Sequence, residues 1–285
     1  MKKIMVTGCS GYIGSHLCKM LKDDYEVHGL DIDIPHGRFV DNHITQFHLL
    51  DINKELNFAD YHYDAVIHLA ALVNVGESER KPIQYYITNV NGTMNVISKI
   101  KCDNFIFAST GAAESCDSAY GVSKRAAEQI VTEYFTSHKP TPHTIFRFYN
   151  VIGSAGYKPT NPDGLMYNLM QSVEKQEFTI YGNDYDTPDG TCVRDYVHVN
   201  EICEAIKIAI EQPANGIECL GHGVGHSVSE MIDLFKSVNK DLIGKKPIHI
   251  MNGPRRKGDT PYSVLNNVSP YMKNLYSIED LLKLP

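Results

Sequence analysis

Three side chains in the stretch 106–129, IFASTGAAESCDSAYGVSKRAAEQ, are of types that could move a proton together. Tyr120 and Lys124 lie four residues apart, so on a helix beginning near Ser118 they share one face. A free tyrosine titrates near ~10, which leaves about one phenol in a thousand ionised at neutral pH. A neighbouring ammonium favours the anion. A drop of ~3 units, equivalent to about 4 kcal/mol of differential stabilisation, would make the phenol a usable base at pH 7. Thr110 closes the apolar run NFIFAST ahead of that helix and offers a hydroxyl to the oxygen being deprotonated.

Such a group must sit at the open end of a strand, and the first half of the chain supplies the strands. The runs KKIMVTG, YEVHGLD, ITQFHLLD, DAVIHLAA, NFIFAST and HTIFRFYN alternate with helical patterns. Apolar runs bounded by Gly, Asp or Pro read as strands buried on both faces. Their alternation with helices predicts an α/β fold, a Rossmann-type doubly wound parallel sheet. Ligands bind such sheets at the carboxyl ends of the strands. After Asn150 the texture turns to Gly- and Pro-rich loop (VIGSAGYKPTNPDG), then to helices at 165–175 and 227–237 and short strands in EFTIYG, GIECLG and KPIHIM. This predicts a first domain over 1–150 and a smaller mixed α/β substrate lobe over 151–285, with a strand and helix near 191–212 returning to the first.

Gly8, Gly11 and Gly14 in VTGCSGYIGSH stand between the first strand and the first helix. Glycines in that context allow a tight turn, backbone approach to a pyrophosphate and close helix packing, with the helix N-terminus facing the anion. Asp31 ends the second strand, where a carboxylate accepts from both adenosine ribose hydroxyls and repels a 2′-phosphate; NAD is the expected cofactor. Its positive nicotinamide would add to Lys124 in favouring a Tyr120 phenolate. Asp51 at the end of FHLLD could take the adenine amino group or simply close a surface turn.

Composition sets the boundaries of this reading. A formal charge of −7 without a Lys/Arg block argues against nucleic acid or an anionic membrane as the main partner. The seven cysteines lack metal-type spacing and read as free thiols in a reducing compartment. MKKIMVTGCS has too short an apolar run for a signal peptide, and no segment reaches the ~18 apolar residues of a membrane span. The protein is expected in the cytoplasm. His222 and His226 in GHGVGH, without a nearby carboxylate or thiol in sequence, read as loop residues and not as metal ligands.

With these residues in place, the chain resembles the extended short-chain dehydrogenase/reductases and, within them, the UDP-glucose (UDP-galactose) 4-epimerases. VTGCSGYIGSH, VIHLAALVNVGES, NVNGT, NFIFAST and YGVSK carry the broad resemblance. IYGNDYDTPDGTCVRDYVHV and GPRRKGDTP carry the narrower one. The resemblance implies that Tyr120 is the catalytic base, Lys124 its electrostatic partner and ribose ligand, and Thr110 the group that polarises the sugar O4. The reaction it implies removes the O4 proton, passes the C4 hydride to NAD, turns the 4-keto sugar over and returns the hydride. It also implies that Tyr12, Ile13, Ile52, Leu69, Ala70, Ala71, Asn89 and Tyr149 line the NAD, the apolar ones being equally suited to strand packing. For the UDP-sugar it implies Arg194 and Arg256 on the diphosphate, Asp259 on a ribose hydroxyl, and Asn150, Asn168, Leu169 and Tyr181 near the diphosphate and uracil. A homodimer through helices at 82–100 and 118–137 is the family expectation.

Three places help choose among relatives. Only nine residues separate Thr110 from Tyr120, fewer than in the compared epimerases, which puts sugar selectivity in question. Gly111 and Ala112 stand where related dehydratases carry an Asp-Glu pair, so dehydration is disfavoured. Ser263 falls near a position that is large in some epimerases and small in others, and a small residue there would admit N-acetylhexosamines. Rival readings are a nucleotide-sugar reductase or decarboxylase of the same fold, and a non-catalytic NAD sensor.

Overall fold

The computed structural model describes residues 1–34, 43–153, 157–244 and 247–284. The loop predicted around 151–164 therefore lies partly outside the described residues. The chain divides into two compact units. One is Met1–Phe148 with Cys203–Glu218; the other is Tyr149–Ile202 with Cys219–Pro285.

The first unit is organised on a seven-stranded sheet. Its order runs Gln46–Leu49, Glu26–Asp31, Lys3–Thr7, Ala65–His68, Phe105–Thr110, His143–Phe148, Gly216–Leu220. The first six pair in parallel. In chain order this is 3-2-1-4-5-6-7, the doubly wound arrangement, with the direction of winding reversing at Lys3–Thr7. The five inner strands are buried on both faces because helices cover both, which is why they read as unbroken apolar runs, and the two edge strands are partly exposed. Met5, Leu30, Val66, Phe105, Phe107 and Ile145 share one core with Ala127, Val131 and Phe135.

Two helical segments matter for the site. The first begins at Pro82–Tyr86, widens to a π-helical turn over Ile87–Gly92 and resumes as Thr93–Lys99. The second is Ala119–Glu133, capped by the Ser118 hydroxyl, which accepts from the Gly121 N–H at 3.1 Å. It continues as a π turn over Tyr134–His138.

The second unit is mixed. Glu177–Tyr181 pairs in parallel with His249–Gly253. Val193–His198 pairs with Gly225–Ser227 antiparallel, and with Tyr262–Ser263 and Asn150–Ile152 in parallel. Helices Leu165–Lys175 and Val228–Val238 pack into its own core with Phe178, Ile180, Tyr196 and Ile248. The expectation that a strand and helix near 191–212 return together to the first domain is corrected here. The strand pairs wholly within the second unit, and the helix Val199–Glu211 joins the first from Cys203 onward. An apolar run can pair in either sheet, and only the register of its neighbours decides.

Candidate active site

The turn after Lys3–Thr7 is drawn tight. Gly8 has φ +73°, and a Cβ there would meet the Ala70 nitrogen at 2.7 Å. A Cβ on Gly14 would stand 2.1 Å from the Gly8 carbonyl oxygen. Gly11 caps helix Tyr12–Leu21 without a side chain, and the first turn Tyr12-Ile13-Gly14 holds no carboxylate. The positive end of this helix suits an anion. Asp31 turns back onto this loop: one carboxylate oxygen accepts from the Ser10 N–H at 2.9 Å and the other from the Ile32 N–H at 2.7 Å. A cradle with no room for side chains, an uncapped helix and a fixed carboxylate at the second strand end together fit a dinucleotide such as NAD. The Tyr12 phenol is held protonated by burial, and the Ile13 carbonyl accepts from the Cys203 thiol at 3.9 Å. Asp51 closes a turn by accepting from the Asn53 N–H at 2.8 Å, and Ile52 is a core residue.

Beside the loop, the end of strand Ala65–His68 is fastened by a buried chain of hydrogen bonds. The Thr93 hydroxyl donates to the Asn89 carbonyl at 2.7 Å, so it can only accept from His68 Nε2–H, at 3.0 Å. His68 Nδ1 then accepts from the Thr7 hydroxyl at 2.7 Å, and the same hydroxyl accepts from the Ala70 N–H at 3.3 Å. Burial, and secondly Lys124, push the His68 imidazole down to about 3, so it is neutral. Asn89 belongs to the π turn, a form frequent at functional sites. Its amide exchanges hydrogen bonds with Leu72 at 2.8 and 3.0 Å and donates to the Ser123 hydroxyl at 3.0 Å. Its side chain thus ties the 69–72 segment to the helix carrying Tyr120.

Thr110, Tyr120 and Lys124 come together as the spacing predicts. Thr110 stands close enough to the Tyr120 phenol to favour its ionised form, and Lys124 Nζ lies 4.1 Å from the Phe107 ring centroid. The electrostatics differ from the sequence expectation. Burial raises the Tyr120 phenol to about 12 against the Thr110 hydrogen bond. The same burial pushes Lys124 down to about 7, opposed by Glu128. Desolvation disfavours both charged forms, so the lysine does not by itself deliver an ionised tyrosine. The shortened segment after Thr110 forms one helical turn, Ala112–Ser115, ending at Cys116 with φ 57°.

Several supports were not read from the sequence. Glu79 accepts from the Ala119 N–H at 3.0 Å, placing a carboxylate on the first turn of the catalytic helix. The Tyr85 ring meets Tyr120 edge to face at 6.4 Å, its hydroxyl donating to Glu77 at 3.3 Å. Glu128, one turn beyond Lys124, pairs with Arg147 through two bonds of 2.8 and 2.7 Å. The four-residue stride from Tyr120 to Lys124 to Glu128 was the available signal.

In the second unit, Arg194 donates to the Thr260 carbonyl at 2.8 Å and stands 3.7 Å from Asp259. Arg256 stacks 4.0 Å over the Tyr181 ring and donates to the Asp163 carbonyl at 2.9 Å. Burial raises the Asp259 carboxyl, and Arg194 and Arg256 oppose it. Arg194, Arg256, Asp259 and Tyr181 are therefore neighbours. Asn168 is turned to the Pro162 and Gly164 carbonyls at 2.7 and 2.8 Å, and Asn150 donates to the Asp195 carbonyl at 3.1 Å. The Leu169 side chain is in the unit's core, which leaves only its backbone for a ligand. The Tyr149 N–H donates to the Leu220 carbonyl at 3.0 Å. His222 and His226 do have carboxylate partners, Glu201 at 2.8 Å and Glu230 at 2.9 Å, contrary to their isolation in sequence. Among the described residues no group of three or more metal-ligating side chains forms.

The profile of the NAD dependent epimerase/dehydratase family matches residues 4–220. The UDP-glucose 4-epimerase of Yersinia pestis is 32% identical over 300 residues, covering 90% of this chain and 87% of the relative. Among solved structures, the Bifidobacterium longum UDP-glucose 4-epimerase in complex with NAD+ and UDP superposes with a TM-score of 0.84 at 27% identity, covering 98% of this chain and 96% of the other. The UDP-Glc/GlcNAc 4-epimerase of Campylobacter jejuni superposes with a TM-score of 0.76 at 26% identity, covering 99% and 97%.

Proposed function

The chain belongs to the NAD dependent epimerase/dehydratase family, and from that premise we propose that it inverts C4 of a UDP-hexose, interconverting UDP-glucose and UDP-galactose. The observation that carries the reading is the buried Tyr120 with Thr110 beside its phenol and the buried Lys124 one turn along the same helix face. NAD, when bound, supplies the acceptor and later the donor of the C4 hydride. Every other part belongs to the chain. Gly8, Gly11 and Gly14 admit the pyrophosphate, and Asp31 takes the ribose hydroxyls. Thr110 orients the sugar hydroxyl, Tyr120 in its phenolate form takes the proton and gives it back, and Lys124 together with the positive nicotinamide of bound NAD would balance the phenolate charge before the proton arrives. Such a cycle leaves no net change in NAD, which separates it from a reductase or decarboxylase.

The Met1–Phe148 unit is read as the NAD domain and the second unit as the nucleotide-sugar lobe. Arg194 and Arg256 are suited to a diphosphate because a guanidinium fork matches phosphate oxygens. Ser263 and the single turn after Thr110 favour acceptance of UDP-N-acetylhexosamines as well. Exposed Ile83, Ile87 and Met94 on the 82–99 segment, with Val122 on the catalytic helix, support a homodimer through these helices. The free thiols fit a reducing cytoplasm, and among the described residues no helix is long and apolar enough to cross a membrane.

Incubation with UDP-glucose, UDP-galactose and their N-acetylated forms, with products resolved by NMR, tests the substrate. Tyr120→Phe should keep NAD and lose turnover by at least about a hundredfold, the size expected of a general base. Undiminished turnover would retire the mechanism. Net NADH formation would favour the rival oxidoreductase.

A further inference from the structure

On the buried face of helix Ala119–Glu133, Tyr120, Lys124 and Glu128 follow one another at four-residue steps, and all three are buried. The last is a carboxylate with no part in the reaction described above. It accepts from the Ser109 hydroxyl at 2.5 Å, from Arg147 Nε at 2.8 Å and from Arg147 Nη2 at 2.7 Å. Ser109 immediately precedes Thr110 on strand Phe105–Thr110, and Arg147 lies on the neighbouring strand His143–Phe148, directly opposite Ser109. One carboxylate therefore joins the catalytic helix to two strands at the level of the reacting hydroxyl.

We propose that Glu128 is a positioning residue for catalysis: gripped by Arg147 and Ser109, it fixes the helix against the strand that bears Thr110 and keeps a negative charge one turn from the Lys124 ammonium. This rests on the reading of Tyr120 and Lys124 as base and electrostatic partner. A buried ion pair is a poor source of stability, because desolvating two charges offsets most of their attraction. Its planar two-bond geometry is instead well suited to setting register. The charge is equally placed. Lys124 is packed against Phe107, burial drives it toward the neutral amine, and Glu128 is the group that opposes this. The other groups facing this region do not substitute for it. His68, from strand Ala65–His68, is neutral. Tyr120 is a protonated phenol, and Tyr85 from the 82–99 segment packs on its ring. Glu79 is engaged with the Ala119 N–H at the start of the helix. Arg125 stands 3.7 Å from Glu128, and Glu114 stands 3.7 Å from Arg147.

The test is the pH dependence of kcat for the NAD-loaded enzyme with its UDP-hexose. Activity needs the Lys124 ammonium, so its alkaline limb follows that lysine. Glu128→Gln removes the supporting negative charge and the carboxylate that faces Arg147, so the limb should move to lower pH by about one unit, an approximately tenfold loss on that limb, with KM little changed. Arg147→Met frees the carboxylate toward Lys124, and the limb should move the other way. Glu128→Gln combined with Arg147→Gln keeps a neutral hydrogen-bonded pair of similar shape. It covers the case in which a single variant fails to fold, and its limb should move down by less than that of Glu128→Gln. Arg147→Lys, which conserves the cation, should restore the wild-type limb. Limbs that stay in place, or that move in the same direction for the two single variants, would overturn the proposal, since loss of stability alone predicts no opposite shifts. Should Tyr120→Phe retain turnover, the underlying reading fails instead; inactive Tyr120→Phe with unmoved limbs sinks only the role of Glu128.

Discussion

The two sets of candidate functional side chains are built differently. Around Tyr120 buried polar groups are held by other side chains: Asn89 on Ser123, and Glu128 on Arg147 and Ser109. Around Arg256 the contacts are a stacked ring and main-chain carbonyls, with Tyr181 exposed. The first arrangement resists movement, as a proton transfer requires of groups that must be aligned before the substrate arrives. The second gives up little when a ligand oxygen replaces a carbonyl, which suits binding and release. Substitutions in the first set should therefore act on kcat, and those in the second on KM.

The largest effect expected is that of Lys124→Met, a loss of about a hundredfold or more in kcat with NAD still bound, measured by single-turnover epimerisation. Arg256→Ala should raise KM about tenfold to a hundredfold, the range for hydrogen bonds to charged groups, with kcat nearly unchanged. An equal loss in kcat would erase the distinction between the two regions. Thr110→Val should lower kcat about tenfold by removing one neutral hydrogen bond. The smallest effect concerns stability. Burial pushes Lys124 down to about 7 in the fold from its ordinary value of 10.5, so the unfolded chain holds the extra proton between those values. Protein stripped of dinucleotide should thus gain stability as pH rises from 7 toward 10. That slope should vanish in Lys124→Met, as followed by urea unfolding at several pH values.

Much of this was legible because it is local. Unbroken apolar runs declared the strands of the first unit, and fixed spacings declared the glycine turn and the pair Tyr120 and Lys124. What was hidden depends on partners distant in sequence. Arg147 looks out of place in the apolar run HTIFRF until Glu128 is seen opposite it, and His222 looks isolated until Glu201 is brought beneath it. The run Val193–His198 could pair in either sheet, and no local feature of it names its neighbours. The burial of the phenol was hidden for a related reason: spacing reveals which charges are near but not how much water has been removed from them.

The orientation of the His68 ring has a practical consequence. Its proton is assigned by the Thr93-to-Asn89 bond, and the ring takes up a second proton only near 3. Moderately acidic crystallisation liquor, around pH ~5, should leave this rim of the sheet as it stands while Tyr120 keeps its hydrogen.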